Sequence, residues 1–307
     1  MNKIINMPKI AVLMATHNGE KWVNEQIISI LNQENVNITI FVSDDFSTDK
    51  TFTILKKLSK RFSQIVLLPR LSPMGSPAKN FYYLLSSLDL SSFNYVSLAD
   101  QDDIWMKNKL TRHVSLLKKN NVEGVSSNVI AFWKNGKEKL INKSQYFNQY
   151  DFIFESAGPG ATYTMSIWLT KKVQELLLHN KTTKDIIYHD WLIYAICRSC
   201  NKKWFIDKTP SLYYRQHSQN VVGANVGFFS LIKRLNKIAN GLYRNEVRKI
   251  IDIAVLLNKN KDLIFLQKII NNYSFSNQLC LIIFALKGRR SLIDRFYLTF
   301  VILFFIF

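Results

Sequence analysis

Apolar and polar positions come in blocks along the first hundred residues. Residues 9–15, Lys-Ile-Ala-Val-Leu-Met-Ala, form a short, nearly continuous apolar stretch, the pattern of a strand buried on both faces of a parallel sheet. It ends in Thr16-His17-Asn18-Gly19-Glu20, after which Val23, Ile27, Ile30 and Leu31 recur at helical spacing. The alternation then repeats, with strands expected over 38–42, 64–68 and 93–98 and helices over 51–58 and 79–88, Asp49 being placed to cap the first of these. Strands alternating with helices predict a doubly wound α/β fold, whose ligands sit beyond the carboxyl ends of the strands. The polar clusters at 16–18, 44–47 and 100–103 all occupy such ends.

Past residue 105 the pattern gives a helix over 106–118, a strand over 125–133, a turn at Asn135-Gly136 and a small-residue loop over 156–162. Helices over 166–178 and 190–200 and a short strand over 204–206 follow, and 213–220 is dense in ligand-capable groups. Beyond 227 the texture becomes basic and amphipathic, with helices expected over 231–235, 247–257 and 263–270. Apolar runs over 279–286 and 296–307 are then set among Lys287, Arg289, Arg290 and Arg295. Neither run reaches the ~18–20 residues needed to span a bilayer. The expectation is a first domain over 1–226 and a helical extension over 227–307 lying in a headgroup interface, with packing on the core as its alternative.

Lys and Arg number 41 against 22 Asp and Glu, a net charge of +19, which favours anionic partners such as phosphorylated substrates and anionic lipid. Nucleic acid is set aside, because the charge is spread over the C-terminal half without a recognition motif. Cys197, Cys200 and Cys280 make neither a disulfide framework nor a zinc set, which fits a reducing compartment. No signal-peptide pattern opens the sequence, so a cytoplasmic protein is expected. Neither G-x-G-x-x-G nor a P-loop occurs.

Chemistry concentrates in Leu98-Ala99-Asp100-Gln101-Asp102-Asp103-Ile104-Trp105. Carboxylates this close repel unless a cation or water lies among them, and Mg²⁺ or Mn²⁺ is commonly held by one or two carboxylates plus substrate phosphates. The D-x-D therefore reads as a metal–diphosphate site. Asp44 and Asp45 can accept the imide N–H of uracil or thymine, or cap a turn. Asp190, in His189-Asp190-Trp191, is the best candidate to take a proton from an incoming hydroxyl, ahead of Asp151, Glu155 and Asp185, and helix capping is its structural alternative. Trp191 offers a platform for a sugar ring. His217, between Arg215 and Asn220, can complete a metal's coordination.

Taken in order, these motifs resemble family-2 glycosyltransferases of the GT-A fold, and among them the bacterial rhamnosyltransferase-like group. The resemblance runs from about Lys9 to Asn225. It rests on Thr16-His17-Asn18-Gly19, the Ser43–Thr51 segment, Ala78-Lys79-Asn80-Phe81, the D-x-D stretch, Gly160-Ala161-Thr162, His189-Asp190-Trp191 and Tyr214-Arg215-Gln216-His217 with Asn220 and Gly223. It implies a Rossmann-like, mostly parallel central sheet flanked by helices, and an inverting transfer from a dTDP- or UDP-linked sugar, rhamnose favoured, with Mn²⁺ or Mg²⁺. The acceptor would be a growing surface glycan on a polyprenyl diphosphate carrier, used at the inner face of the cell membrane. By position, Thr16, Asn18, Asp44, Asp45, Lys79, Asp100, Gly160, Thr162 and Arg215 would bind the nucleotide sugar. Asp102, Asp103 and His217 would meet the metal, Asp190 would be the base, and Trp191 would face the acceptor. His17 departs from the Tyr usual in the family. A nucleotidyltransferase and a non-catalytic basic membrane- or polyanion-binding protein are the competing classes.

Overall fold

The structure, a computed structural model, describes residues 7–217, 240–272 and 274–304. Asn220, Gly223, the helix expected over 231–235, residues 305–307 and the expected boundary at 226/227 lie outside the described residues.

Strand β1 (Lys9–Thr16) runs through the middle, buried from Ile10 onward. Successive side chains point to opposite faces of a strand. Accordingly Ala11, Leu13 and Ala15 enter one hydrophobic core and Ile10, Val12 and Met14 a second. Helix α1 (Val23–Leu31) covers the second core with Val23, Ile27 and Ile30, and α2 (Thr51–Arg61) adds Leu55 and Leu58. Helix α3 (Pro77–Ser87) covers the first with Phe81, Leu84 and Leu85. With both faces dry, no polar side chain interrupts β1 before its end.

Strands β2 (Asn37–Asp44) and β4 (Tyr95–Ala99) flank β1 in parallel, and β3 (Ile65–Leu67) continues beyond β2. On the other side β9 (Thr164–Ser166) runs antiparallel between β4 and β6 (Gly124–Ser127), and β10 (Trp204–Asp207) closes the edge. The sheet has seven strands in the order β10-β6-β9-β4-β1-β2-β3. A mostly parallel sheet was expected and is present, with β9 as its reversed strand.

The strand expected over 125–133 is two strands. Asn128 divides it, because its side-chain amide donates to Lys208 O at 2.9 Å and accepts from Lys143 N at 2.7 Å. Beyond it β7 (Val129–Trp133) joins a second sheet, ordered β5-β11-β7-β8, with β5 (Ile104–Trp105), β11 (Leu212–Gln216) and β8 (Glu138–Ile141). The hairpin β7–β8 turns at Asn135-Gly136, where Gly136 has φ +79°. The pairing of β11 with β5 brings Arg215 and His217 against the D-x-D loop.

The C-terminal helices pack on the core. Helix Leu242–Leu257 places Val247, Ile250, Ile251 and Ala254 in the same cluster as α5 (Asp151–Phe154) and α8 (His189–Ser199). Helices Lys261–Asn271, Phe275–Leu286 and Leu292–Leu303 follow it. Among the described residues, no helix is long and apolar enough to cross a membrane.

Candidate active site

The carboxyl ends of β1, β2 and β4 meet at one edge of the large sheet, Thr16 opposite Asp44 and Met14 opposite Ala99. Asp44 is buried there. Its Oδ1 accepts from the Thr16 hydroxyl at 3.1 Å and the Ser47 hydroxyl at 2.5 Å, while Arg70 Nε lies 3.3 Å from Oδ2. The Arg70 guanidinium also sits 4.5 Å from the ring centres of both Phe46 and Phe52, an arrangement that desolvates a cation against aromatic faces. Asp45 accepts the backbone N–H of Met74 at 2.5 Å and of Gly75 at 2.9 Å, so it shapes the loop before α3. Asn18 takes φ +48°, donates its N–H to Ser47 Oγ and accepts from Thr48 N at 2.8 Å. Asn tolerates this left-handed conformation because its short amide bonds locally.

Gln101, the middle residue of the D-x-D, joins two loops. Its amide accepts from His17 N at 2.9 Å and donates to His17 O at 2.8 Å. A Cβ on Gly19 would lie 2.2 Å from Gln101 Oε1, so glycine is what lets this amide approach.

Around this clasp the three aspartates have different surroundings. Asp102 Oδ2 is 2.7 Å from His217 Nε2, and the His217 ring stacks on Trp22 at 4.0 Å. Arg215 donates from Nε to Asp102 O at 2.8 Å and pairs with Glu25 at 2.5 Å. Burial, with the nearby Asp102 and Asp190 charges, pushes Asp100 up to about 7. Asp103, expected at the metal, is the most deeply buried of the three in surface exposure. It is 1% exposed, its Oδ1 accepts Arg215 N at 3.2 Å, and burial with two like charges drives it well above the carboxylate range.

Sequence reasoning passed over Lys109, on α4 (Lys109–Asn120). It is fully buried, donates to Ala161 O at 2.6 Å and lies 3.2 Å from the Trp105 ring centre. Burial pulls its pKa well below that of a free lysine, opposed by Asp103 and Asp100. Lys109 is thus a buried amine beside the carboxylate loop. Its place in a helix-like stretch gave no sign of this; a Lys falling on the apolar side of that helix was the available signal.

Asp190 opens α8, where its Oδ1 accepts from Trp191 N at 2.8 Å. Burial raises it to about 6, against hydrogen bonds that include Ser156. His189 beside it stacks on Phe81 at 4.2 Å, and burial lowers it to about 3. The other carboxylates considered for the base are committed elsewhere. Asp151 pairs with Arg198 and Arg290, Glu155 pairs with Arg289 and Arg290, and Asp185 is exposed. A base must be ionised to accept a proton, so kcat/KM should fall about tenfold per pH unit below about 6. A profile that stays level down to pH 4.5 would remove Asp190 from that role.

Of four expected donor or acceptor contacts, three are engaged inside the protein. Trp191 is buried, its indole N–H donates to Phe152 O at 2.9 Å and its ring stacks on Tyr243, so it faces the core and not an acceptor. Thr162 is buried with its hydroxyl on Pro159 O at 2.7 Å. Gly160 makes room for His189, whose Nε2 would be 2.4 Å from a Cβ there. Lys79 is exposed and lines a shallow cleft of about 290 Å³ with Tyr82, Lys184 and Asp185, whereas its neighbour Asn80 turns inward and donates to Ser43 O at 3.1 Å.

Among the described residues no three His, Cys, Asp or Glu side chains form a metal cluster. Asp102 Oδ2 and His217 Nε2 lie against each other at 2.7 Å, a carboxylate and an imidazole side by side. Two protein donors, with phosphate oxygens supplying more, suit a hard divalent ion.

Edge-of-sheet carboxylates, a further carboxylate at a helix start and a reversed strand in a mostly parallel sheet make up a GT-A-like fold. The chain belongs to Glycosyl transferase family 2, whose family model matches residues 11–177. It is 42% identical over 239 residues to a dTDP-rhamnosyl transferase, RfbG, of Shigella flexneri, covering 77% of this chain and 83% of that protein. It is 32% identical over 120 residues to the Escherichia coli UDP-Glc:alpha-D-GlcNAc-diphosphoundecaprenol beta-1,3-glucosyltransferase WfgD, covering 39% of this chain and 45% of that one. Among solved structures, Staphylococcus aureus TarS 1-349 in complex with UDP-GlcNAc is similar in fold, with TM-score 0.53, 15% identity, and coverage of 89% of this chain and 78% of that one.

Proposed function

We propose that this glycosyltransferase moves rhamnose from dTDP-rhamnose to a hydroxyl of a lipid-linked glycan, inverting the sugar's anomeric configuration, at the inner face of the cell membrane. The observation that carries the reading is the convergence of the Asp44 pocket, the Asp102–His217 pair and Asp190 on one sheet edge. The named relatives support the donor and the class of acceptor.

Thr16, Asn18 and Ser47 hold the rim on which the nucleoside rests, and Asp44 or Asp45 accepts the imide N–H of thymine. Each carboxylate oxygen has two lone pairs; the bonds from Met74 N and Gly75 N leave one free on each oxygen of Asp45, whereas Thr16, Ser47 and Arg70 occupy those of Asp44, which makes Asp45 the open acceptor. Asp100 lies toward the ribose and Arg215 toward the phosphates. Asp102 and His217 would hold Mn²⁺ or Mg²⁺, which when bound supplies Lewis-acid stabilisation of charge on the departing diphosphate. Asp190 takes the acceptor's proton as its oxygen attacks the anomeric carbon from the side opposite the diphosphate, and one such displacement inverts that centre.

The test is release of nucleotide diphosphate from a panel of dTDP- and UDP-sugars, with Mn²⁺ or Mg²⁺ and with EDTA. Turnover is expected with dTDP-rhamnose, lost in EDTA, and Asp102→Ala should weaken metal-dependent donor binding by tenfold or more. Equal turnover of UDP-glucose, or undiminished Mn²⁺ titration in Asp102→Ala, would overturn the donor and the metal assignments respectively.

A further inference from the structure

We propose that the outer face of the last two helices is the seat of an anionic lipid surface, an inference that rests on the membrane-side reading above and names the part of the chain that makes the contact. Helix Phe275–Leu286 contains no charged residue. Its inward positions Leu281 and Ala285 are buried, while Phe275, Leu279 and Ile283, spaced four apart on one face, are 68%, 51% and 61% exposed. Helix Leu292–Leu303 repeats the division: Leu298, Val301 and Ile302 face the core, and Ile293, Phe296 and Phe300 are 80%, 72% and 51% exposed. Scattered exposed apolar residues are ordinary, but rows of exposed aromatic and branched side chains on two helices that pack on each other mark an interaction surface.

Its rim decides the occupant. On the preceding helix, exposed Ile264 and Phe265 lie between exposed Lys261 and Lys268, and the Phe265 ring meets Phe284 at 6.2 Å, which makes the three helices one surface. Exposed Lys287 sits in the turn between the last two helices. The acids on the three helices are Asp262, which accepts from Tyr150 Oη, and Asp294, against exposed Lys261, Lys268 and Lys287. A second copy of the chain would bring this cationic rim against itself. Anionic headgroups meet it with opposite charge while the aromatic face enters the acyl boundary. In the proposed contact the helices lie in the plane of the bilayer.

The experiment is co-sedimentation of the full chain with phosphatidylglycerol/phosphatidylcholine vesicles and with pure phosphatidylcholine, beside the double variant Ile293→Ser/Phe296→Ser. Both positions are exposed, so the variant should fold and bind dTDP by calorimetry as the parent does. Expected are binding to the anionic vesicles at least tenfold tighter than to the neutral ones, and at least tenfold loss in the variant. A parent chain left in the supernatant with anionic vesicles, or a variant that binds as the parent does, would overturn the assignment. So would a parent dimer that the variant converts to monomer without any vesicle binding, since the face would then belong to a second copy. Vesicle binding without dTDP binding would instead condemn the dTDP-sugar donor reading and leave the lipid seat standing.

Discussion

Asp190→Asn is expected to lower kcat by roughly 10²–10⁴-fold, the range that a positioned general base contributes, while leaving dTDP binding unchanged. The substitution isolates proton transfer. Asn keeps an oxygen to accept Trp191 N–H, the 2.8 Å bond that starts α8, and it keeps the side-chain volume among buried neighbours. It removes only the ability to take a proton. Stability gives the control. Burial raises Asp190 to about 6, above its ordinary 3.8, so the ionised form is the one the fold disfavours above that pH. A neutral isostere should therefore melt no lower than the parent at pH 7.5. Loss of transfer with an undiminished Tm and intact nucleotide binding would place the proton on Asp190. Transfer at the parent rate would require another base, and the ion pairs of Asp151 and Glu155 make those poor substitutes.

The difference between what the sequence made legible and what it hid follows from the range of the interactions. β1, β2, β4 and α1 to α3 could be read from periodicity, because a doubly covered parallel strand must be apolar along its length and its covering helices must carry one apolar stripe. The polar strand ends were legible for the same reason, since polarity there has no packing explanation. Asp44 and Asp102 were singled out this way, and Asp190 from its place at a helix start. Two-residue β5 and the break at Asn128 were not, because each depends on partners more than fifteen residues away: Leu212 and Tyr213 for β5, Lys208 for Asn128. Gln101 and Arg70 were missed likewise, since their partners are a backbone amide on another loop and a carboxylate on another strand. Trp191 was misplaced for a related reason. Adjacency to Asp190 in sequence suggested a shared role, but successive helical residues point about 100° apart, and the indole falls on the buried side. The C-terminal basic residues misled in the opposite direction. Arg290 read as part of a surface cluster, but its complement is a pair of acids some 135 to 139 residues earlier.

Arg290→Met is expected to destabilise the chain by about 3–5 kcal/mol, the cost typical of removing one partner of a buried ion pair. Arg290 is 4% exposed and reaches Asp151 at 3.2 Å, Glu155 at 3.4 Å and Ser156 O at 2.5 Å. Asp151, fully buried, also accepts from Tyr194 Oη at 2.9 Å and pairs with Arg198 at 3.0 Å, and both lie on the helix that Asp190 opens. Removing Arg290 leaves Glu155 and half of Asp151 short of positive charge in a low-dielectric setting, and the carboxylates cannot recover water without opening the core. Ending the chain after Gly241 should be worse, because the positions that Val247, Ile250, Ile251 and Ala254 fill against α5 and α8 would be opened to solvent as well. The expected result is a lower urea midpoint for Arg290→Met and no cooperative transition for the truncation, with transfer lost in step because the segment from Asp151 to Ser156 supports the base. A truncated chain that unfolds cooperatively at the parent midpoint would mean that the C-terminal helices are an appendage. Loss of both fold and transfer would make them part of the catalytic domain, with the lipid-facing side of the same helices as its outer wall.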